Sequence, residues 1–577
     1  MKPYFEKMNT FGRPLKQREI ARSEENIERI RALEAALDQE VNRIKTAGIS
    51  AEKINQRGQL TAWQRIEYLV DEGSWRPLHT LFDPEGNEEG TTGVIDGLSK
   101  VGGKWAVVIA SNNQVLAGAW IKGQAENVLR VTDLAKRLRV PLIWILNCSG
   151  VKLTEQDAVY PGRRSGGTPL FRHARLNQLG VPILVGIYGT NPAGGGYQGI
   201  SPTVLFAHHE CNVAVGGAGI VGGMSPKGNF DLDDAERIIQ AQSQLRENPP
   251  GRVEIHRNET GFFRYVYQTE EGVLDAIREY MKKMPAYDPE FFRVAEPKEP
   301  RFACDEISRI IPVRQNESYA FEQVAARIFD GSEHMEFKPN YGPEVYCGLV
   351  KLEGLPVGCI GNRLGLLPRG YPEYADYPGV GGKLYRQGLI KMNEFVTLCS
   401  RDRIPIVWFQ DTTGVDVGDQ AEKAELLGLG QSLIYSIQQS EIAMMLVVLR
   451  KGTAAAHYLM GGPTANDHNA FTLGTPTTEI YVMHGETAAV ASYSRRLEKE
   501  KKQGAGLQPV IDQMNRLARQ YHERSRADYC ARRGFVDEVV RFQDLRKYLV
   551  AFASAVYQNP VSVCPVHQML TPRVIRG

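Results

Sequence analysis

Several absences narrow what this 577-residue chain can be. Its longest apolar runs, such as residues 442–449, reach about eight residues against the ~20 needed to cross a bilayer, so no membrane span is expected. Charge of one sign is also missing. Lys and Arg total 69 and Asp and Glu 67, a formal net charge of +2 that leaves no footprint for a polyanion, so nucleic acid is not an expected partner. No two of the eight cysteines (148, 211, 304, 347, 359, 399, 530, 564) stand in C-x-x-C spacing, which excludes a zinc ribbon and a disulfide framework; no metal site is expected. Neither a G-x-x-x-x-G-K-[ST] phosphate loop nor a G-x-S-x-G elbow occurs, so ATP chemistry and a serine hydrolase both lack their motif. The first residues, MKPYFEK, lack the apolar stretch of a secretory signal, and a cytoplasmic chain with reduced thiols is expected.

What is present is ordinary soluble composition, 42% hydrophobic and 24% charged, at a length that calls for several domains or a duplicated unit. Between residues 15 and 48, Ile20, Ile27, Ile30, Leu33, Leu37, Val41 and Ile44 recur at helical spacing and predict an amphipathic helix. Thr61 and Gln64 form a capping box for a second helix carrying Ile66, Leu69 and Val70 and stopping at Gly73. Pro285, Pro289, Pro297 and Pro300 mark a linker. The expected organisation is a helical extension over 1–50, one lobe over 51–300 and another over 301–577.

The two lobes repeat one another. Residues 137–151 (RLRVPLIWILNCSGV) lie over 401–415 (RDRIPIVWFQDTTGV) at an offset of 264, with six of fifteen positions identical: Arg137/Arg401, Arg139/Arg403, Pro141/Pro405, Trp144/Trp408, Gly150/Gly414 and Val151/Val415. About one identity is expected by chance, so the match indicates duplication. Each copy reads as strand, helix, Pro-led apolar strand, Gly-Val turn, helix and a strand running into small residues, which is an α/β pattern.

Those small-residue loops are where chemistry could sit. The first lobe offers Gly150-Val151 and Gly194-Gly195-Gly196-Tyr197; the second offers Gly414-Val415 and Ala454-Ala455. Strand ends followed by residues with little side chain leave main-chain N–H groups bare, and two converging groups make a site for a developing oxyanion. Val151 with Gly194 or Gly195, and Val415 with Ala454 or Ala455, are the candidate donor pairs. The competing explanation is close packing of strand against helix. Arg163 and Arg164 could meet phosphate or carboxylate, or could be solvated. His208, His209, His457 and His468 read as structural, adjacent strand histidines pointing to opposite faces.

Residues 58–74 (GQLTAWQRIEYLVDEGS), the two small-residue loops and residues 533–539 (RGFVDEV) resemble the biotin-dependent acyl-CoA carboxyltransferases. Segments 146–152, 186–197, 450–458 and 564–569 are similar to its decarboxylating, sodium-translocating branch. Ala454-Ala455 departs from the glycine pair of many relatives but keeps the N–H. The resemblance implies an α/β fold of two duplicated crotonase-like lobes, of the ββα superhelix type of the ClpP/crotonase superfamily. It implies a coenzyme A thioester in the first lobe, with Gly150, Gly196, Tyr197, Arg163 and Arg164 near it. Biotin is implied in the second lobe of a neighbouring protomer, near Gly414, so that a homo-dimer or higher homo-oligomer completes each site. No [AV]-M-K-M acceptor occurs, Lys391 lacking the leading Met, so the biotin is expected on a separate carrier subunit. An integral-membrane sodium-pumping partner would hold the chain peripherally at the inner face of the membrane. Two alternatives stay open: the carboxyltransferase of an ATP-dependent acyl-CoA carboxylase, and a non-catalytic CoA-binding scaffold.

Overall fold

The computed structural model describes residues 8–199, 203–217, 235–263, 265–285, 289–367 and 379–559; segment 564–569 lies outside them. Contact density divides the chain into Glu40–Tyr287, called the first lobe below, and Met1–Gln39 with Asp288–Gly577, the second. The apolar stripe near the amino terminus forms α1 (Gln17–Lys45), burying Ile27, Ile30 and Ile44. Helix α2 (Ala62–Leu69) starts on the expected capping box, the Gln64 amide donating to Thr61 Oγ1 at 3.2 Å and the Thr61 amide to Gln64 Oε1 at 2.8 Å. It stops about a turn before Gly73, because Val70 is already extended (φ −78°, ψ 150°).

In the first lobe, β1 (Arg76–Leu78), β2 (Val94–Val101), β3 (Lys104–Ser111), β4 (Leu142–Leu146), β5 (Ile183–Ile187), β6 (Val204–His208) and β7 (Tyr265–Tyr267) lie side by side in chain order. Pairing is antiparallel from β1 to β3 and parallel from there on. Parallel neighbours need crossovers, supplied by α3 (Gln124–Leu138) between β3 and β4 and α4 (Thr168–Gln178) between β4 and β5. A single turn, α5 (Gly194–Tyr197), follows β5, and α6 (Glu270–Lys283) packs Val273, Leu274 and Ile277 into the core.

The second lobe repeats the plan. Strands β8 (Glu333–Glu336), β9 (Val345–Leu352), β10 (Leu355–Asn362), β11 (Ile406–Thr412), β12 (Met444–Thr453) and β13 (Asn469–Gly474) run in chain order, antiparallel to β10 and parallel after it. The crossovers are α7 (Arg386–Asp402) and α8 (Leu426–Gln439), and α9 (Ala454–Leu459) follows β12.

The matched residues of the repeat occupy matched places. Arg139 and Arg403 end α3 and α7 in left-handed conformation (φ 55° and 57°). Trp144 and Trp408 are both fully buried in the following strand. The β2–β3 and β9–β10 hairpins turn on two left-handed residues each, Gly102-Gly103 (φ 60° and 83°) and Glu353-Gly354 (φ 54° and 74°), the geometry that suits strand twist. One carboxylate spans each turn. Asp71 accepts from the amides of Gly102 (2.9 Å) and Gly103 (2.7 Å), and Asp330 from those of Glu353 (3.1 Å) and Gly354 (2.7 Å).

Candidate active site

In each lobe the two central parallel strands run in matched register, Leu146 with Ile187 and Gln410 with Val448; the first pair closes its strands, and the second is followed by a register shift and the pair Thr412 and Gly452. The crevice beyond the carboxyl ends of such strands is the usual ligand position in α/β sheets. Leaving β4, the chain turns at Gly150 (φ 100°); leaving β11, it turns at Gly414 (φ 134°), angles that side-chain-bearing residues rarely adopt.

Past each glycine the backbone is pinned in the same way. The Trp120 amide donates to Gly150 O at 2.8 Å and the Lys152 amide to Trp120 O at 3.0 Å. The Leu384 amide donates to Gly414 O at 3.0 Å and the Asp416 amide to Leu384 O at 3.1 Å, each atom pair displaced by the same 264 residues. The residue between the two bonds, Val151 or Val415, forms the bridge with its own amide unused: neither donates to an acceptor among the described residues.

A second corner follows the neighbouring strand. Ala193 (φ 45°, ψ −122°) and Ala454 (φ 50°) hold positive φ without being glycine, a strain of about 1–3 kcal/mol each that functional corners tend to store. The Ala193 amide is used by Ala214 O (2.7 Å), and the first bond of α5 runs from the Tyr197 amide to Ala193 O (3.1 Å). The amides of Gly194, Gly195 and Gly196 therefore have no acceptor among the described residues. Ala454 is the counterpart of Ala193, so the amides that correspond to Gly194 and Gly195 are those of Ala455 and Ala456, one residue later than the small-residue match suggests.

The first-lobe corners meet. A Cβ built on Gly194 would lie 3.6 Å from Val151 Cγ2, and one on Gly195 would lie 2.3 Å from Cys148 O and 3.1 Å from the Gly150 amide nitrogen. Buried Asn191 braces them, accepting the Cys148 amide on Oδ1 (2.8 Å) and donating from Nδ2 to Tyr188 O (2.8 Å). Sequence alone did not single out Asn191 or the Ala193 corner, since nothing in either residue type signals the role. Burial pushes the Cys148 thiol up to about 11, so it is not a nucleophile at neutral pH. The arrangement presents main-chain donors and no catalytic dyad.

The carboxyl transferase domain model matches residues 53–570. The chain belongs to the carboxyl transferase domain family. Over 579 residues this carboxyl transferase chain is 57% identical to glutaconyl-CoA decarboxylase subunit alpha of Acidaminococcus fermentans, covering 100% of this chain and 98% of that protein. It is 28% identical to the uncharacterized carboxylase YngE of Bacillus subtilis over 79% of this chain and 83% of that one. The crystal structure of the P. aeruginosa geranyl-CoA carboxylase beta subunit superposes with a TM-score of 0.77 at 22% identity, covering 96% of this chain and 99% of that chain, so the fold is shared.

Of the other sequence candidates, Gly196 and Tyr197 line a largely apolar pocket of about 560 Å³ with Ala193, Val213, Val215 and Phe262. Arg163 is exposed, and exposed Arg164 is drawn to Glu126 on α3 (2.8 Å); no described contact ties either to the corners of this carboxyl transferase chain. His208 and His209 do not point apart. Strand β6 ends at His208, and the two rings sit 4.5 Å centroid to centroid. No group of three His, Cys, Asp or Glu able to hold a metal ion occurs among the described residues, and none of the described helices is long and apolar enough to cross a membrane.

Proposed function

We propose that this chain moves the distal carboxyl group of glutaconyl-CoA to biotin borne on a separate carrier subunit, leaving crotonyl-CoA. The observation that carries the substrate is the 57% identity, over the whole chain, to a glutaconyl-CoA decarboxylase alpha subunit. The unengaged amide corners supply the means.

Breaking the bond to the carboxylate leaves an electron pair that spreads through the conjugated acyl chain to the thioester oxygen. The amides of Val151 and of Gly194 or Gly195 would hold that oxygen, each such donor being worth about 3–4 kcal/mol in the transition state. Gly150 sets the direction of the Val151 amide, and the apolar pocket at Gly196 and Tyr197 would take the acyl end. Arg163, with Arg164 if it releases Glu126, offers charge to the phosphates of coenzyme A. Biotin supplies the nucleophilic ureido nitrogen, and the proton that nitrogen loses balances the one the terminal carbon of the acyl chain takes up as crotonyl-CoA forms. The second-lobe corner fits a ureido oxygen: it offers the Val415 amide and the one following Ala454, that of Ala455, and a Cβ on Gly414 would meet nothing within 4 Å, so the corner is open. Because all the donors are fixed before the reaction, positioning and electrostatics can carry the transfer without a side-chain base.

Leu153 and Val417, two residues past each donor valine, are 74% and 78% exposed, which supports a second copy of this chain covering both corners in a homo-dimer. In this scheme the functional lobes run over 51–300 and 301–577 after the extension 1–50. A biotin carrier and a sodium-pumping membrane subunit would hold the chain at the inner face of the membrane.

Purified chain is given free biotin and a panel of acyl-CoA thioesters. Crotonyl-CoA formed from glutaconyl-CoA, dependent on biotin and indifferent to ATP, is expected. Turnover without biotin, or carboxylation of a saturated acyl-CoA as the faster reaction, overturns the assignment.

A further inference from the structure

We propose that Gln410 is a positioning residue for the second-lobe corner, holding the first turn of α9 and the side chain of His457 so that the amides after Ala454 face the ligand. The inference rests on the reading that this corner serves biotin.

Gln410 is fully buried on β11. Its Nε2 donates to His457 O (3.2 Å) and Ala456 O (3.4 Å), and its Oε1 faces His457 Nδ1 at 2.7 Å. With Nε2 committed to two carbonyls, Oε1 must accept, so the His457 proton sits on Nδ1 and Nε2 carries a lone pair with no partner among the described residues. One amide therefore grips both the main chain and the side chain of the same turn. A short helix turn moves as a unit, so holding its carbonyls sets the direction of the amides of Ala455 and Ala456 at its other end.

Two glycines make room for this clamp. A Cβ on Gly452 would lie 2.7 Å from Gln410 Oε1 and 3.0 Å from His457 Nδ1, and one on Gly462 would lie 3.2 Å from His457 Cδ2. Among its described residues the first lobe has nothing equivalent. Leu146 and Gly196 occupy the matching sheet and helix positions, and Asn191 does the bracing there. The clamp thus belongs to one lobe, as expected if the two corners take different ligands.

His457 stays neutral in this arrangement, burial holding it down to about 4. Of the charged side chains on the strands packed against α9, Arg450 contacts Asp411 at 2.6 Å and Lys451 approaches the same carboxylate to 3.8 Å, which leaves one cation in excess. On α8, which packs on the same helix, no Asp, Glu, Lys, Arg or His occurs.

The test uses the full-length protein with Gln410→Leu, which removes both contacts, and the near-isosteric Gln410→Glu, which turns the donors into an acceptor and places a charge on His457. In each, KM and kcat for free biotin are measured beside the Kd for crotonyl-CoA and the melting temperature. Gln410→Leu should raise the KM for biotin or lower kcat by about tenfold or more, with the crotonyl-CoA Kd within about twofold of wild type. Gln410→Glu should add a titration between pH 5 and 8 to kcat/KM for biotin that wild type lacks. Crotonyl-CoA binding that weakens in step with biotin use would mean general structural damage and overturn the inference, as would unchanged biotin kinetics in both variants. Wild-type turnover that does not depend on biotin overturns the functional reading itself, an outcome seen before any variant is compared.

Discussion

One methyl group added at Gly195 should stop turnover, while the same methyl at Gly194 should be tolerated. A Cβ at Gly195 would stand 2.3 Å from Cys148 O and 3.1 Å from the Gly150 nitrogen. Carbon and oxygen rest about 3.3–3.6 Å apart, so about 1 Å must be found, and both obstacles are main chain. The Cys148 amide is tied to Asn191 and the Gly150 carbonyl to Trp120, so the displacement falls on the corner or on the Val151 amide. A shift of that size can cost about a hundredfold in rate, and loss of one donor about 10²–10³-fold in kcat, or roughly 2.7–4 kcal/mol. At Gly194 the added carbon would meet Val151 Cγ2 at 3.6 Å, an ordinary contact, and alanine keeps the N–H. The assay is biotin-dependent crotonyl-CoA formation by the two single variants, with melting temperatures to confirm folding. Gly195→Ala within about tenfold of wild type, or Gly194→Ala equally impaired, would refute the donor geometry.

Mixing Gly195→Val, defective in the first lobe, with Ala455→Leu, defective in the second, should restore roughly a quarter of sites if each site joins two protomers, since half of the dimers become heterodimers with one intact site; no recovery despite subunit exchange refutes this. Asp330 is fully buried and also pairs with Arg546 at 3.0 Å, whereas Asp71 is only half-buried. Asp330→Asn should therefore lose about 3 kcal/mol in urea unfolding against about 1 for Asp71→Asn, and equal losses contradict the account. Burial raises the Glu344 carboxyl from 4.5 to about 7. Its folded state favours the proton, so its contribution is complete below about pH 4.5 and declines as pH rises through about 7; Glu344→Gln should be the more stable chain at pH 8, and a wild-type-to-variant difference that is flat from pH 4 to 8 excludes that role.

The duplicated plan was legible because its identities keep a constant offset of 264 and mark matched places: a buried Trp in the strand, an Arg at the left-handed helix end, and glycine at the turn before Val151 and Val415. The paired aspartate bridges were not. Asp71-Glu72-Gly73-Ser74 and Asp330-Gly331-Ser332 differ by one residue, so they fall out of step with a constant offset. The corner position was misplaced by one for a related reason. Between the two central strands the offset drops from 264 to 261, and an alanine at positive φ looks like any other alanine. The bracing by Asn191 and Gln410 joins residues 43 and 47 apart in sequence, and no local pattern encodes such contacts.

In the proposed scheme the donors are main-chain amides, and that determines how the site can change. An alanine scan would pass over Val151 and Val415, because truncating either side chain leaves its N–H in place; only proline, or an ester in place of the amide, deletes the group. An amide also does not titrate between pH 4 and 10, so the donors hold the same strength at every pH the folded chain survives. Any pH optimum the enzyme shows must then arise from the ligands or from residues outside the two corners.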